Sequence, residues 1–288
     1  MRIATQTIFD TAKFQLSNIS QELSKANEIV STGKRITDIS DDPLGVTQAL
    51  SIKSTVSNID QVKRNISMGN SWLTAAESAL SQTQEVITEV KALCVQMASD
   101  TTRPEQRASA SLTVQNMLEE IISLANTEVN GRYIFAGTKT DTTPFSQNGT
   151  YNGDNNIFAV KIGKDSTVAV GSDGDAVFSN ILATLGGLKT DLESNDVGSI
   201  GNAMNSLNDC IDDFSTQISD VGSKTLRMEV KERILDNLKI SNAERLSEIE
   251  DADMAEAIMN LSSIELTYKA ALSSSAQIMT LSLIDYLE

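Results

Sequence analysis

The sequence of 288 residues contains no histidine, only two cysteines and only three prolines. Histidine is the commonest general base near neutral pH and the commonest zinc ligand, so its absence argues against most hydrolases and zinc enzymes. Cys94 and Cys210 lie far apart in helical patterns, which favours two buried thiols over a disulfide framework. We therefore expect a protein that is not an enzyme and that holds no metal and no cofactor.

Basic residues are also scarce, because 23 lysines and arginines stand against 39 acidic residues, a formal net charge of -16. Nucleic acids and anionic membranes are bound by concentrated basic surfaces, and the sequence offers no such patch. No run approaches the roughly 18 apolar residues of a membrane helix, and the start MRIATQTIFD lacks the apolar core of a cleaved signal peptide. We expect no nucleic-acid partner, no membrane insertion, and either a cytoplasmic protein or one exported without a cleaved signal.

Aromatic residues make up 4% of the chain against 40% hydrophobic residues in total, a composition that favours long helices. From Phe9 to Gly33, apolar or small residues alternate at spacings of three and four, a heptad seam that needs a partner helix. A second such pattern runs from Met254 to Tyr286, and Ala257 and neighbouring apolar positions widen it enough for more than one contact. The two terminal helices should therefore pair and leave an apolar face for another subunit. The predicted assembly interface comprises Phe9, Leu16, Ile19, Leu23, Ala26, Val30, Ile258, Leu261, Ile264, Tyr268, Leu272, Met279, Leu283 and Leu287.

Four further helices and one β-rich segment are predicted between the terminal helices. Helical spacing covers 44–98, resumes at Pro104 up to a stop at Asn130-Gly131, and returns in a last long helix over 198–248. Alternating apolar residues predict a small β region at about 135–175, and a short helix follows it. The expected fold is mainly α: a long antiparallel helical bundle or coiled coil formed by the N- and C-terminal halves, with a small β-rich insertion mid-chain.

These patterns divide the chain into five predicted segments. They are an N-terminal assembly helix and hinge at 1–45, the first half of a helical core at 46–134, a small β-rich outer region at 135–176, the second half of the core at 177–250, and a C-terminal assembly helix at 251–288.

The stretch STGKRITDISDDPLG, residues 31–45, packs turn-forming and charged residues between two helices. It fails the Walker A pattern of a phosphate loop, and it lacks the calcium-loop spacing with a terminal bidentate glutamate. Gly33 can instead end the first helix in the left-handed conformation, Asp42 can cap the next helix, and Pro43 suits the first position of that helix. The residues predict a structured hinge between two helices.

Near the other end, EIEDADMAEA spaces Glu250, Asp253 and Glu256 at intervals of three, which predicts one acidic helical face. Such a face could hold a cation, but it is more often solvated or salt-bridged. Lys34 and Arg35 lie at the matching end of the opposing terminal helix, so we expect an electrostatic match between GKR and EDAD. The predicted hinge and signature residues are Gly33, Arg35, Ser40, Asp41, Asp42, Pro43, Gly45, Glu250, Asp251 and Asp253.

STGKRITDISDDPLG and LSEIEDADMAEAIMNLSS, residues 246–263, together resemble the paired N- and C-terminal signatures of the bacterial flagellin superfamily. Within that superfamily, LANTEVNGRYIFAGTKTDTTPF, residues 124–145, and the ending LSLIDYLE are more similar to the group of hook-filament junction proteins (hook-associated protein 3) than to flagellins. The departures are small: Met254 stands where relatives often have an aromatic residue, and Glu288 follows the usual leucine ending.

This resemblance implies a structural protein that is exported unfolded through the flagellar type III channel and becomes part of the extracellular flagellum. It also implies an adaptor ring of identical subunits whose terminal helices pair on assembly. The implied partners are the other hook-associated protein on the hook side, flagellin on the filament side, and an export chaperone at the C-terminal helix. Two alternatives stay open at this point: a short flagellin that forms the filament itself and, more remotely, a secreted coiled-coil adhesin.

Overall fold

The computed structural model describes the backbone of residues 2–287 and the side chains of residue 7 and residues 9–277. Long helices dominate this range, and the only strands within it form two small antiparallel pairs. None of the described helices is long and apolar enough to cross a membrane. The helices are α1 (Arg2–Thr32), α2 (Pro43–Met97), α3 (Pro104–Ala125), α4 (Gly174–Ser194), α5 (Val197–Glu250) and α6 (Met254–Leu287). The strands are β1 (Glu128–Val129), which pairs with β2 (Arg132–Tyr133), and β3 (Ala159–Lys161), which pairs with β4 (Thr167–Ala169).

The predicted fold class is confirmed, and the predicted ends of the long helices are close to the observed ones. Pro43 begins α2 and Pro104 begins α3, where the missing amide hydrogen of proline removes a donor that the first turn could not use. Gly33 follows α1 with a φ of +70°, and its amide donates to the carbonyl oxygen of Ile29 at 2.8 Å, as a left-handed helix end requires.

The predicted helix stop at Asn130-Gly131 is wrong. The third helix ends at Ala125, and the pair instead forms the turn between β1 and β2, with φ values of +53° and +74°. Two successive residues with positive φ match the right-handed twist of a hairpin, and Asn-Gly is the strongest short sequence signal for such a turn. The strands consequently begin at Glu128, before the predicted β region.

The chain separates into two compact units, residues 59–237 and a second unit of residues 1–58 together with 238–288. We call them the body and the terminal unit; the five-segment division remains a prediction. The body has a continuous apolar core, in which Phe178 contacts Phe135, Phe145 and Phe214 edge to face at centroid distances of 4.9, 5.9 and 5.6 Å. Such aromatic pairs contribute about 0.5–1.5 kcal/mol each beyond the burial of their area.

A buried arginine in the body links the end of α2 with the residue that follows α4. Arg107 of α3 is 2% exposed and donates to the carbonyl oxygens of Met97 and Ser99, both at 2.8 Å, and to Oδ1 of Asn195 at 2.6 Å. Met97 ends α2, and Asn195 is the left-handed residue that follows α4. One side chain thus pairs the free carbonyl oxygen at the end of α2 and connects it to the segment that follows α4.

Candidate assembly interface and joint

In the terminal unit, α1 and α6 pack against each other. The end of α1 lies beside the start of α6, because Lys34 and Asp251 form an antiparallel bridge, so the two helices run in opposite directions. On α1, the side chains that lie partly or fully out of solvent follow the predicted heptad positions, whereas nearly all residues between them are exposed. These seam residues are Ala12, Leu16, Ile19, Leu23, Ala26, Val30 and Gly33. Phe9, at 43% exposure, is the predicted interface residue on α1 that lies mostly outside the seam.

The seam of α6 is rotated relative to the predicted stripe. Ile258 and Leu272, which were predicted in the assembly interface, are 50% and 43% exposed and lie outside the seam with α1. The apolar surface of α6 spans two adjacent faces, so a spacing of three and four fits either face, and packing against α1 selects one of them. The half-buried residues are Ala257, Leu261, Ile264, Tyr268, Ala271 and Ser275. The predicted residues Met279, Leu283 and Leu287 lie outside the residues whose side chains are described.

Two segments meet where α1 and α6 come together, residues 33–42 and residues 250–253, and we call this region the joint. The amide of Arg35 donates to the carbonyl oxygen of Glu250 at 2.7 Å, and the amide of Ala252 donates to the carbonyl oxygen of Gly33 at 2.9 Å. The guanidinium of Arg35 also donates to the carbonyl oxygen of Ile249 at 3.0 Å. The segment between α1 and α2 and the segment between α5 and α6 are therefore held together by backbone as well as side-chain hydrogen bonds.

Glu250 lies between two lysines and is 7% exposed. Nζ of Lys34 donates to Oε2 at 3.0 Å, and Nζ of Lys53, near the start of α2, donates to Oε1. Burial of Glu250 acts to raise its pKa, but the hydrogen bonds and charges of Lys53 and Lys34 outweigh this effect and lower the pKa below its ordinary value. The carboxylate thus links the end of α1, the early part of α2 and the end of α5.

The expected match between GKR and EDAD is confirmed for Lys34 and Glu250. Arg35 makes its ion pair elsewhere, with Asp42 at 3.7 Å. The predicted acidic face is wrong, because α5 ends at Glu250 and a break separates it from α6. Asp253 lies in that break and accepts from the amides of Ala255 and Glu256 at 2.9 and 3.3 Å. An aspartate before a helix pairs with amides that the first turn leaves free, which explains why the acidic run interrupts a helix.

The acidic pair of the SDDP stretch has two separate tasks. Oδ1 of Asp42 accepts from the amide of Gly45 at 2.9 Å and caps α2 in front of Pro43. Asp41 accepts from the ammonium of Lys25 and from the amides of Asp38 and Thr37 at 3.1 and 3.2 Å, and these bonds lower its pKa to about 2.

Gly45, Ser40 and Asp251 complete the predicted set. A Cβ on Gly45 would lie 2.6 Å from Oδ2 of Asp42 and 2.8 Å from Cδ1 of Ile36, so the cap fits only against a glycine. Ser40 is exposed, and Asp251 accepts from the hydroxyl of Ser247 within the last turn of α5.

Sequence reasoning missed Lys25 and Lys53, which complete the ion pairs of the joint. Both side chains lie on helices among many other polar residues, and helical spacing alone does not distinguish them from solvated lysines. Only the approach of a distant carboxylate, Glu250 in the case of Lys53, gives them a role.

Comparisons with known proteins agree with this architecture. The family model of the bacterial flagellin N-terminal helical region matches residues 3–140, and that of the bacterial flagellin C-terminal helical region matches residues 204–287. The flagellar hook-associated protein 3 of Salmonella typhimurium is 25% identical over 302 residues, which cover 93% of this chain and 95% of the relative. The protein of the same name from Escherichia coli K12 is 32% identical over 183 residues, covering 63% of this chain and 58% of the relative.

A solved structure has the same fold. The crystal structure of Bacillus cereus FlgL superposes with a TM-score of 0.62 at 23% identity, and the match covers 68% of this chain and 99% of that one. The two family models describe the N-terminal and C-terminal regions of the same protein family, and together they cover most of the sequence. The chain therefore belongs to the bacterial flagellin family.

Proposed function

We propose that this chain is a structural subunit of the bacterial flagellum that forms an adaptor ring at the junction between hook and filament. Its work is mechanical rather than catalytic, and copies of the chain associate through the terminal unit. The proposal places the chain outside the cell after type III export.

The distribution of apolar side chains carries this proposal. Among its described residues, the terminal unit buries only three hydrophobic side chains, Ala26, Ile36 and Ala49, whereas the body buries a continuous core. Large apolar side chains are instead exposed along the terminal unit, at a density that is typical of an interaction surface and rare on the surface of a monomeric protein. They are Phe9, Phe14, Ile39, Leu44, Leu50, Leu238, Ile240, Met254, Ile258, Met259, Leu266 and Leu272.

The site of assembly within the flagellum is inferred from the relatives. The two relatives reported above are named flagellar hook-associated protein 3, and one aligns over nearly its whole length. We infer that the ring contacts the other hook-associated protein on the hook side and flagellin on the filament side. Both contacts would use the same kind of paired terminal helices.

The exposed apolar side of α6 also suits an export chaperone. Ile258, Met259, Leu266 and Leu272 are all more than 40% exposed, on a helix whose other side packs on α1. A chaperone that covers this side in the cytoplasm would prevent premature association, since exposed apolar helices associate without selectivity.

Deletion of the gene tests the proposed position in the flagellum. A strain without this chain should assemble hooks but release flagellin monomers into the medium, because the filament would have no base on which to grow. Complementation with the full chain should restore filaments. A variant lacking residues 255–288 should keep a folded body and fail to restore them, since it lacks α6. Filament growth in the deletion strain would contradict the junction role.

A flagellin that forms the filament itself is the second candidate. It is favoured by the matched family models, which describe the terminal regions of flagellin. The deletion experiment distinguishes the two, because loss of a flagellin leaves hooks with no flagellin in the medium. Purified protein would also polymerise alone into long filaments if it were a flagellin, whereas a junction protein should stop at short oligomers.

A further inference from the structure

We propose that Glu250 sets the register in which α1 and α6 pair, acting through Lys34 and Lys53 at the joint. This role deepens the proposed function, since it rests on the terminal helices as the assembly element. It holds equally for a junction protein and for a filament protein.

The α1–α6 seam does not choose its own register. The described seam residues of α1 are aliphatic or small, and those of α6 are aliphatic, alanine, serine or tyrosine, with no charged residue on either side among them. A slip of one heptad, about 10 Å along the axis at 1.5 Å per residue, would again place apolar residues against apolar residues. An asparagine or lysine at one seam position can fix the register of a coiled coil, and the described part of this seam contains neither.

The joint supplies the missing specificity at one end of the seam. A slip of 10 Å would separate the Glu250 carboxylate from both ammonium groups and break the two backbone hydrogen bonds that cross between Gly33, Arg35, Glu250 and Ala252. Glu250 is also the last residue of α5, so a slipped register would leave a 7% exposed carboxylate without its cations. An unpaired buried charge is strongly unfavourable, whereas the slipped seam itself is not.

The other charges at the joint do not replace Glu250. A cavity of about 320 Å³ beside it is lined by Glu28 and Asp38 as well as by Lys34 and Lys53. Neither Glu28 nor Asp38 forms an ion pair in the described part of the chain, and Lys25 is paired with Asp41. The two lysines therefore depend on Glu250 for direct contact with a carboxylate.

Spin labels on the exposed positions Ser24 and Ser263, introduced as Ser24→Cys and Ser263→Cys in the full chain, would report the register. The native thiols can stay, because Cys94 and Cys210 are buried and label poorly. In assemblies of the labelled chain diluted with unlabelled chain, pulsed electron resonance should give one narrow distance distribution for the otherwise unchanged protein. In Glu250→Lys it should give a second population with the helices offset by about 10 Å, because three cations then meet at the joint.

Two further variants separate register from general damage. Glu248→Lys makes the same change of charge at an exposed neighbour and should keep the single distance. The reversal Lys34→Glu, Lys53→Glu, Glu250→Lys rebuilds the cluster with opposite signs and should recover it. The amides of Arg35 and Ala252 should exchange with solvent more than tenfold faster in Glu250→Lys than in the reversal.

A single, unshifted distance in Glu250→Lys would overturn the proposal, as would a broad distribution in the otherwise unchanged protein. Failure of the triple reversal to recover the narrow distance would overturn it as well. None of these results bears on the deletion phenotype, which tests the proposed position in the flagellum separately.

Discussion

Replacement of Arg107 by leucine should destabilise the body more than any change of a surface charge. The guanidinium donates to three acceptors at 2.6–2.8 Å and is 2% exposed. Leucine fills part of the same volume but leaves the carbonyl oxygens of Met97 and Ser99 and the amide oxygen of Asn195 without these donors. The variant therefore tests hydrogen bonding at the helix ends rather than the loss of packing alone.

The expected loss is about 3 kcal/mol in the free energy of unfolding. A hydrogen bond that involves a charged group contributes about 1.5–3 kcal/mol, but Ser99 and Asn195 lie near the surface, where water can replace part of what is lost. A unit of about 180 residues changes its melting temperature by about 2–4 °C for each kcal/mol. Arg107→Leu should therefore lower the melting temperature of the body by about 6–12 °C.

Thermal unfolding of the full chain, followed by circular dichroism, would measure this shift. Arg132→Leu is the matched control, because Arg132 belongs to the same unit and its side chain is exposed, so its melting temperature should change by less than about 2 °C. Arg107→Lys should recover part of the loss, since an ammonium can still donate to one or two of the acceptors. If Arg107→Leu melts within 2 °C of the unchanged protein, the three bonds do not stabilise the body and the reasoning is wrong.

Two smaller perturbations concern the joint. Gly45→Ala places a methyl group within 3 Å of Asp42 and Ile36, so the cap must move and the start of α2 should be destabilised by about 1–2 kcal/mol. Faster hydrogen exchange in the first turn of α2 would show this loss of stability, and unchanged exchange would contradict it. The pKa of Glu250 is lowered in the folded chain, so its ionised form stabilises the joint above the ordinary glutamate pKa of about 4.5, and this stabilisation is lost as the pH falls below that value. Exchange at the joint should accelerate on acidification through this range, and Glu250→Gln should remove the acceleration; equal acid dependence in both proteins would refute the role of this carboxylate.

The elements that the sequence predicted well are those whose signal is local. The long helices repeat an apolar spacing over many turns, and Gly33, Asp42 and Pro43 mark helix ends through their own backbone preferences. Asn130 and Gly131 carried an equally local signal, but it fits both a helix stop and a hairpin turn. The choice between the two depended on whether strands flanked the pair, and strands of two residues are too short to show periodicity.

The candidate site was predicted in composition and in one of its ion pairs, that of Lys34 with Glu250. The second cation on Glu250, Lys53, came from a helical segment with no signal of its own. The face of α6 that packs on α1 differs from the predicted stripe for a related reason, because two adjacent apolar faces satisfy one spacing. Contacts between distant segments depend on how helices rotate against each other, which a pattern on one helix does not determine.

The contrast in burial between the two units bears on when the terminal unit folds. Ordering a residue costs about 1–2 kcal/mol of backbone entropy, and burial of apolar area is the main term that offsets it. In the described part of the terminal unit, two of the three buried hydrophobic side chains are alanines, and large residues such as Phe14 and Leu266 stay 67% and 70% exposed. A helix pair with so little buried area gains most of its stability from whatever covers its outer faces. Neighbouring copies that bind only the folded pair would then stabilise it by mass action, so that folding of the terminal unit and assembly become one equilibrium.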